Sequence, residues 1–163
     1  MTKEKTEQEA YLQLAAACAQ AEHCEQEMRD KMKHWGMDPE AQNRVVERLT
    51  KERYMDNERY ARAFVKDKVR YNKWGRRKVQ QALWMKRIDD DIQQRVLDEI
   101  DDEEYLKVLV PLLKQKRKSI KAANDYELNQ KLVRFALSRG FDYGIIRQCL
   151  DVDEEMDIDD EMD

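Results

Sequence analysis

Residues 54–87 read YMDNERYARAFVKDKVRYNKWGRRKVQQALWMKR, and their pattern decides the fold. Tyr60, Ala61, Phe64 and Val65 recur at helical spacing, as the inward stripe of an amphipathic helix does. Asp56 stands ahead of that stripe, where a carboxylate accepts from first-turn amides that lack a partner inside the helix. Trp74-Gly75 breaks this helix, and a second one over 75–86 carries Val79, Ala82 and Leu83 inward. A third follows over 89–100. Three short helices joined by tight turns make one small unit.

The same unit recurs on both sides. Toward the N-terminus, a helix from about Thr6 to Gln20 carries Tyr11, Leu12, Leu14, Ala15 and Cys18 on its apolar side. After a break near Glu22–Cys24, a second runs to about Trp35 with Met28 and Met32 inward, and Gly36 stops it. Asp38 caps a third, in which Pro39 at the first position loses no hydrogen bond and Ala41, Val45, Val46 and Leu49 face in. Toward the C-terminus, Asp101 and Glu104 form a capping box ahead of a helix over Tyr105–Lys118. Asn124 or Asp125 opens the next, with Leu128, Leu132, Phe135 and Ala136 inside. Gly140 stops it, and Asp142 opens a last short helix through Ile145, Ile146, Cys149 and Leu150.

Aligning the stops exposes the repeat. Gly36-Met37-Asp38, Arg87-Ile88-Asp89 and Gly140-Phe141-Asp142 fill one slot, 51 and then 53 residues apart. Ten residues before each Asp stand Met28, Val79 and Leu132; six before it stand Met32, Leu83 and Ala136; seven after it stand Val45, Val96 and Cys149. The pattern predicts an all-α chain of three tandem three-helix repeats over 1–53, 54–100 and 101–150. Stacked repeats touch mainly their neighbours, so an elongated monomer is expected. A coiled coil needs uninterrupted apolar heptads, and Gly36, Gly75 and Gly140 cut every such run.

Composition agrees. Charged residues are 40% of the 163, with four Gly and two Pro, which favours helices with large solvated faces. No apolar run approaches the ~18 residues of a membrane span. The opening MTKEKTEQEA lacks a signal peptide's apolar core. Three cysteines (Cys18, Cys24, Cys149) cannot all pair and suit a reducing cytoplasm. The net charge of −4 hides a contrast, because residues 151–163, DVDEEMDIDDEMD, carry nine acids and no base, leaving +5 on 1–150. So dense a block of like charge is expected to be a disordered tail. It reads as a solubilising end or as a polyanion mimic that folds back on the basic centre of the chain.

Catalytic and metal chemistry find little support. There is no Gly-rich phosphate loop and no paired-His motif. Cys18, His23, Cys24 and His34 lie close in sequence, but their spacing matches no standard zinc pattern. No cofactor is expected, and the chain reads as a binding protein rather than an enzyme.

The basic centre is different. Ten Lys or Arg residues fall between Arg62 and Arg87, with Asp67 the single acid. A solubilising face alternates sign, and this one does not. Tyr71, Trp74 and Trp84 are interleaved, as where bases or partner side chains stack. Arg76, Arg77 and Lys78 occupy the first turn of a helix, where cations oppose the dipole and, with the free amides, create a field suited to phosphate or carboxylate. The residues assigned to an anionic partner are Arg62, Lys66, Arg70, Lys73, Arg76, Arg77 and Lys78, with Trp74 as a stacking contact. A second run, Lys114, Lys116, Arg117, Lys118 and Lys121, lies at a helix C-terminus, where the dipole accounts for much of it.

Three stretches carry a resemblance to the RecX family of bacterial regulatory proteins. Met55-Asp56-Asn57-Glu58-Arg59-Tyr60-Ala61-Arg62-Ala63-Phe64-Val65 resembles the family's L-D-D-x-R-F-A-x-x-F-V. Gly75-Arg76-Arg77-Lys78-Val79-Gln80-Gln81-Ala82-Leu83 is similar to G-x-x-R-I-x-x-E-L, and Lys131–Phe141 to K-L-x-R-F-L-x-R-R-G-F. The resemblance implies a cytoplasmic, non-enzymatic modulator that binds the RecA nucleoprotein filament and damps its ATPase, strand exchange and co-protease activity. Direct binding of single- or double-stranded DNA without RecA is the rival reading of the same cations. The chain departs from the family where Cys24 replaces a Ser cap, where Trp74-Gly75 replaces Gly-Pro, and in its acidic tail.

Overall fold

The computed structural model describes residues 5–152, so the expected tail lies outside the described residues from 153 on. The described residues form helices and turns with no strand. The helices are α1 (Glu7–Gln20), α2 (Glu25–His34), α3 (Pro39–Lys51), α4 (Asn57–Arg70), α5 (Arg76–Met85), α6 (Asp90–Leu97), α7 (Asp102–Arg117), α8 (Asp125–Ser138) and α9 (Tyr143–Ile146). They fall into three sets of three, as the repeat requires. Helix starts are set by the expected caps. Asp38 accepts from the Ala41 amide, Asp56 from Glu58 and Arg59, Asp101 from Glu104, and Asn124 from Glu127. No described helix is long and apolar enough to cross a membrane.

The slot that revealed the repeat is a helix-ending turn used three times. Gly36 (φ 79°), Arg87 (φ 57°) and Gly140 (φ 92°) all adopt the left-handed conformation. The next amide then reaches back five residues: Met37 to Met32 O (3.1 Å), Ile88 to Leu83 O (3.2 Å), Phe141 to Ala136 O (3.2 Å). This is the Schellman closure. It explains why the position six before each Asp is conspicuous, since that residue is both buried and the acceptor that ends the helix. Arg87 adopts this conformation without being glycine, at a cost of roughly 1–2 kcal/mol. Four residues after each Asp the first two repeats bury a glutamine. Gln42 donates to Met37 O (3.0 Å) and Gln93 to Ile88 O (2.8 Å), satisfying a carbonyl the turn leaves open. The third repeat has Ile146 at that position and buries it.

The chain divides into two compact units, one of residues up to Phe64 with Leu83–Val96, the other of Val65–Ala82 with the residues from Leu97 on. The division passes through α4 and α5 and separates the last residue of α6, Leu97, so each of these helices contributes to both units.

In the first unit, α3 packs on α1 and on α2. The core is Tyr11, Leu14, Ala15, Met28, Met32, Val45, Val46, Leu49 and Met55. Leu12, expected inward, is 56% exposed, because Tyr11, Leu14 and Ala15 already fill the buried stripe. Cys24 stands at the start of α2, where its amide donates to Glu27 Oε1 (3.1 Å). The Glu25 amide is met by Asn57 Oδ1 (2.8 Å), so the following repeat supplies the cap that a thiol provides poorly. His23 lies 3.4 Å from Glu27, and Cys18 Sγ lies 3.9 Å from Met28 Sδ.

In the second unit, α7, α8 and α9 pack pairwise. Its buried residues include Tyr105, Leu109, Leu113, Leu132, Val133, Ala136, Leu137, Phe141, Ile145 and Ile146. The last helix ends at Ile146, not at Leu150, and the chain continues in turns. Asp142 makes no side-chain cap bond there, and Gly144 is a poor helix former.

Candidate functional site

The basic connector between α4 and α5 is built from the end of one helix, a tight reversal, and the start of the next. α4 ends at Arg70 and Tyr71 follows, 79% exposed. Lys73 takes a left-handed φ of 60°, and its ammonium donates to Arg70 O (3.0 Å), which closes the turn. Trp74 is half-buried, with Lys68 Nζ 5.3 Å and Lys78 Nζ 4.9 Å from its ring centroid. The indole is thus occupied by the chain's own cations.

The first turn of α5 is partly engaged within the fold. The Gly75 amide donates to Arg139 O (2.8 Å) and the Arg77 amide to Gly140 O (2.9 Å). The C-terminal carbonyls of α8 therefore meet the N-terminal amides of α5, end to end. This contact works only because two glycines face each other. A Cβ on Gly75 would stand 2.3 Å from Phe141 N, and one on Gly140 2.4 Å from Lys78 Cβ. Cations at the start of α5 oppose its dipole, but they sit against the negative end of α8, and the second effect offsets the first. The amide field expected for an anion is in part already used.

The eight assigned residues separate accordingly. Lys66, Arg70, Lys73 and Arg77 are exposed. The ion pairs beside them are Lys68–Asp67 (4.0 Å) and Arg76–Asp98 (2.7 Å), and those four cations are in neither. Arg76 is held by Asp98, and Lys78 lies against Trp74. Arg62 belongs to the first unit, where Glu58 pairs with it at 3.2 Å and also with Arg95 at 2.5 Å. These two guanidinium groups hold the Glu58 carboxyl below its ordinary range. Arg139 is the cation that linear reading missed. Its guanidinium reaches Asn72 O (3.3 Å) across 67 positions of sequence. Only the α5–α8 contact brings it beside the connector.

Beneath this face, burial pushes the Asp142 carboxyl above its ordinary 3.8, while Arg76 and Arg77 pull it back. A raised native value means that the folded state binds the proton more tightly than the unfolded state. The ionised carboxylate therefore costs stability above its folded-state pKa, and the cost vanishes below the unfolded value of 3.8. Asp142→Asn is expected to unfold at a higher temperature than wild type near pH 7. The gap should close as the pH falls below about 3.8. A gap independent of pH would show that the titration of Asp142 is not its cause.

Among the described residues no group of three His, Cys, Asp or Glu is placed to hold a metal ion.

Tandem three-helix units define an all-α repeat protein. The chain matches the family descriptions "RecX, first three-helix domain" over 10–49, "second" over 56–97 and "third" over 102–150. It belongs to the RecX family. It is 35% identical over 121 residues to "Regulatory protein RecX" of Clostridium perfringens strain 13, covering 73% of this chain and 56% of that one. It is 34% identical over 130 residues to the protein of the same name from Prosthecochloris aestuarii, covering 80% and 83%. The chain spans a little over half the length of its clostridial relatives. The crystal structure of RecX from Lactobacillus salivarius superposes with a TM-score of 0.77 at 19% identity, over 87% of this chain and 92% of that one. That likeness speaks to the fold alone.

Proposed function

We propose that this protein is a non-enzymatic, cytoplasmic regulator of the RecA recombinase. It binds the RecA–DNA filament as a monomer and damps ATP hydrolysis, strand exchange and co-protease activity. Membership in a family whose relatives are named regulatory proteins supports the regulatory role. One structural observation carries the site: Lys66, Arg70, Lys73 and Arg77 stand exposed around one connector, outside the neighbouring ion pairs. Cations of one sign outside ion pairs suit carboxylates or phosphates of a partner, and of the four only Lys73 is also used to close the turn. Arg76 and Lys78 are supporting members, Trp74 shapes the connector, and Arg62 is a separate candidate contact in the first unit.

The rival is binding to DNA phosphate alone, and salt separates the two. Counterion release makes bare-DNA binding fall steeply with salt. In co-sedimentation with RecA assembled on single-stranded DNA, the protein is expected to pellet at salt that abolishes its binding to the same DNA without RecA. Loss of both at one salt concentration would favour the DNA-only reading.

A further inference from the structure

We propose that Trp84, Met85 and Arg87 form a protein-docking recess, separate from the connector, that takes a bulky apolar side chain of a partner flanked by charges of both signs. In the proposed function that partner is RecA, and the inference rests on that reading for the partner's identity.

The residues lie together in the first unit, at the last turn of α5 and the turn that follows it. Trp84 is 67% exposed and Met85 69%. With Arg87, Ile88, Asp89 and Asp90 they line an open recess of about 630 Å³, room for a side chain rather than a single water. The buried Ile88 adds an apolar wall. Apolar residues scattered singly on a surface need no explanation; two neighbours at one recess do.

The other repeats are internal controls. Five and four residues before the Asp that follows each helix-ending turn stand Lys33 and His34, Trp84 and Met85, Leu137 and Ser138. Lys33, His34 and Ser138 are polar and exposed, and Leu137 is apolar and buried. The second repeat alone sets apolar side chains at these positions and leaves them open. Arg87 departs in the same direction. Gly36 and Gly140 hold the left-handed position of the turn without a side chain, whereas Arg87 holds it at φ 57° and stays exposed. Glycine would close this turn with less strain, so the fold does not call for the guanidinium. No ion pair among the described residues involves Arg87, Asp89 or Asp90, while the neighbouring Lys86 is paired with Glu27 at 3.4 Å. Trp and Arg are the side chains that dominate protein–protein contacts, and the flexible thioether of Met85 adapts to what it meets.

The rim selects the class of partner. Asp89, Asp90 and Asp91 are three successive exposed acids. They repel a phosphate backbone, which weighs against a nucleic acid stacked on Trp84. A protein segment meets both signs, with an acid toward Arg87, a base toward the aspartates and an apolar side chain between them.

Hydroxyl-radical footprinting read by mass spectrometry tests this on the full chain: alone, with single-stranded DNA, and with RecA assembled on that DNA. Oxidation of Trp84 and Met85 is expected to fall several-fold with the filament and to stay unchanged with DNA alone. Equal protection by DNA alone would overturn the proposal in favour of base stacking. A chain that does not pellet with the filament overturns this surface and the proposed function together. One that pellets with Trp84 and Met85 still open overturns this surface alone. Two variants give an independent reading. Trp84→Gln with Met85→Gln should keep the wild-type unfolding temperature and weaken filament binding on the order of tenfold. The loss should be similar at low and high salt, because an apolar contact is not screened. A lowered unfolding temperature would show that the chain itself uses the pair, against the proposal. Arg87→Gly should unfold at a higher temperature than wild type, since the strain is relieved, and bind the filament more weakly. Wild-type binding by either variant would contradict the proposal.

Discussion

Gly140→Ala and Gly75→Ala are each expected to lower stability by about 3–5 kcal/mol, among the largest effects of any single methyl group in this chain. At Gly75 the added carbon meets backbone only: Phe141 N at 2.3 Å, Gly140 C at 2.4 Å and Phe141 Cα at 2.4 Å. No side-chain rotation relieves that contact, so the end-to-end docking of α8 on α5 must open. With it go the hydrogen bonds Gly75 N to Arg139 O and Arg77 N to Gly140 O. Their loss is worth about 1 kcal/mol each, and the overpacking adds roughly 1–3 kcal/mol. At Gly140 the φ of 92° adds the strain of a side chain in glycine's region. Native domains hold only about 5–15 kcal/mol in total, so either variant should be partly unfolded near its working temperature. Gly144→Ala is the internal control. Nothing lies within 4 Å of its would-be Cβ, and alanine in α9 should gain up to about 1 kcal/mol. Chemical denaturation measures all three. A Gly75→Ala chain with the wild-type midpoint would show that α5 and α8 do not approach this closely in solution.

The second large effect is on binding. Lys66→Glu, Arg70→Glu and Arg77→Glu together reverse three exposed cations of the connector that stand outside its ion pairs, although Arg77→Glu also withdraws a positive charge from beside Asp142. Arg76 is left alone because reversing it would set a carboxylate against Asp98. Lys78 is left because it lies over Trp74, and Lys73 because its left-handed backbone and its bond to Arg70 O shape the turn. Acids near the end of α4 oppose its dipole by about 0.3–1 kcal/mol each, while one at the start of α5 gains a similar amount. Net stability should therefore move by about 1 kcal/mol or less. Each lost contact is worth on the order of 1 kcal/mol or more, so the three are expected to weaken the proposed filament binding roughly a hundredfold. A folded triple variant that inhibits RecA at the wild-type concentration would remove this face from the site.

The contrast between these predictions marks what the sequence discloses. Helix caps and stops use few residue types at fixed offsets, so Asp38, Asp56, Asp101 and Asn124 were readable, and so was the slot before Asp38, Asp89 and Asp142. The nine helices among the described residues follow from them. Gly75 was readable as a break but not as a docking point, because its partners lie more than 60 positions away and show in no local pattern. Arg139 was missed for the same reason. The three cations at the start of α5 looked costly when only their own helix was considered, and the cost is offset by a second helix whose position no spacing rule predicts. Leu12 and the far end of α9 failed for a simpler reason. An apolar residue can stand on an exposed face, and a helix of four residues is not sustained by periodicity alone.

In the proposed function this chain restrains RecA through the connector between α4 and α5. The most direct measurement is the single-stranded-DNA-dependent ATPase of RecA with increasing amounts of the full chain, at a salt concentration where the chain does not bind the DNA by itself. A saturable fall in hydrolysis by the wild type, displaced to far higher concentration in the Lys66→Glu, Arg70→Glu, Arg77→Glu chain, is the predicted result. A rate of hydrolysis indifferent to the wild-type protein would contradict the account.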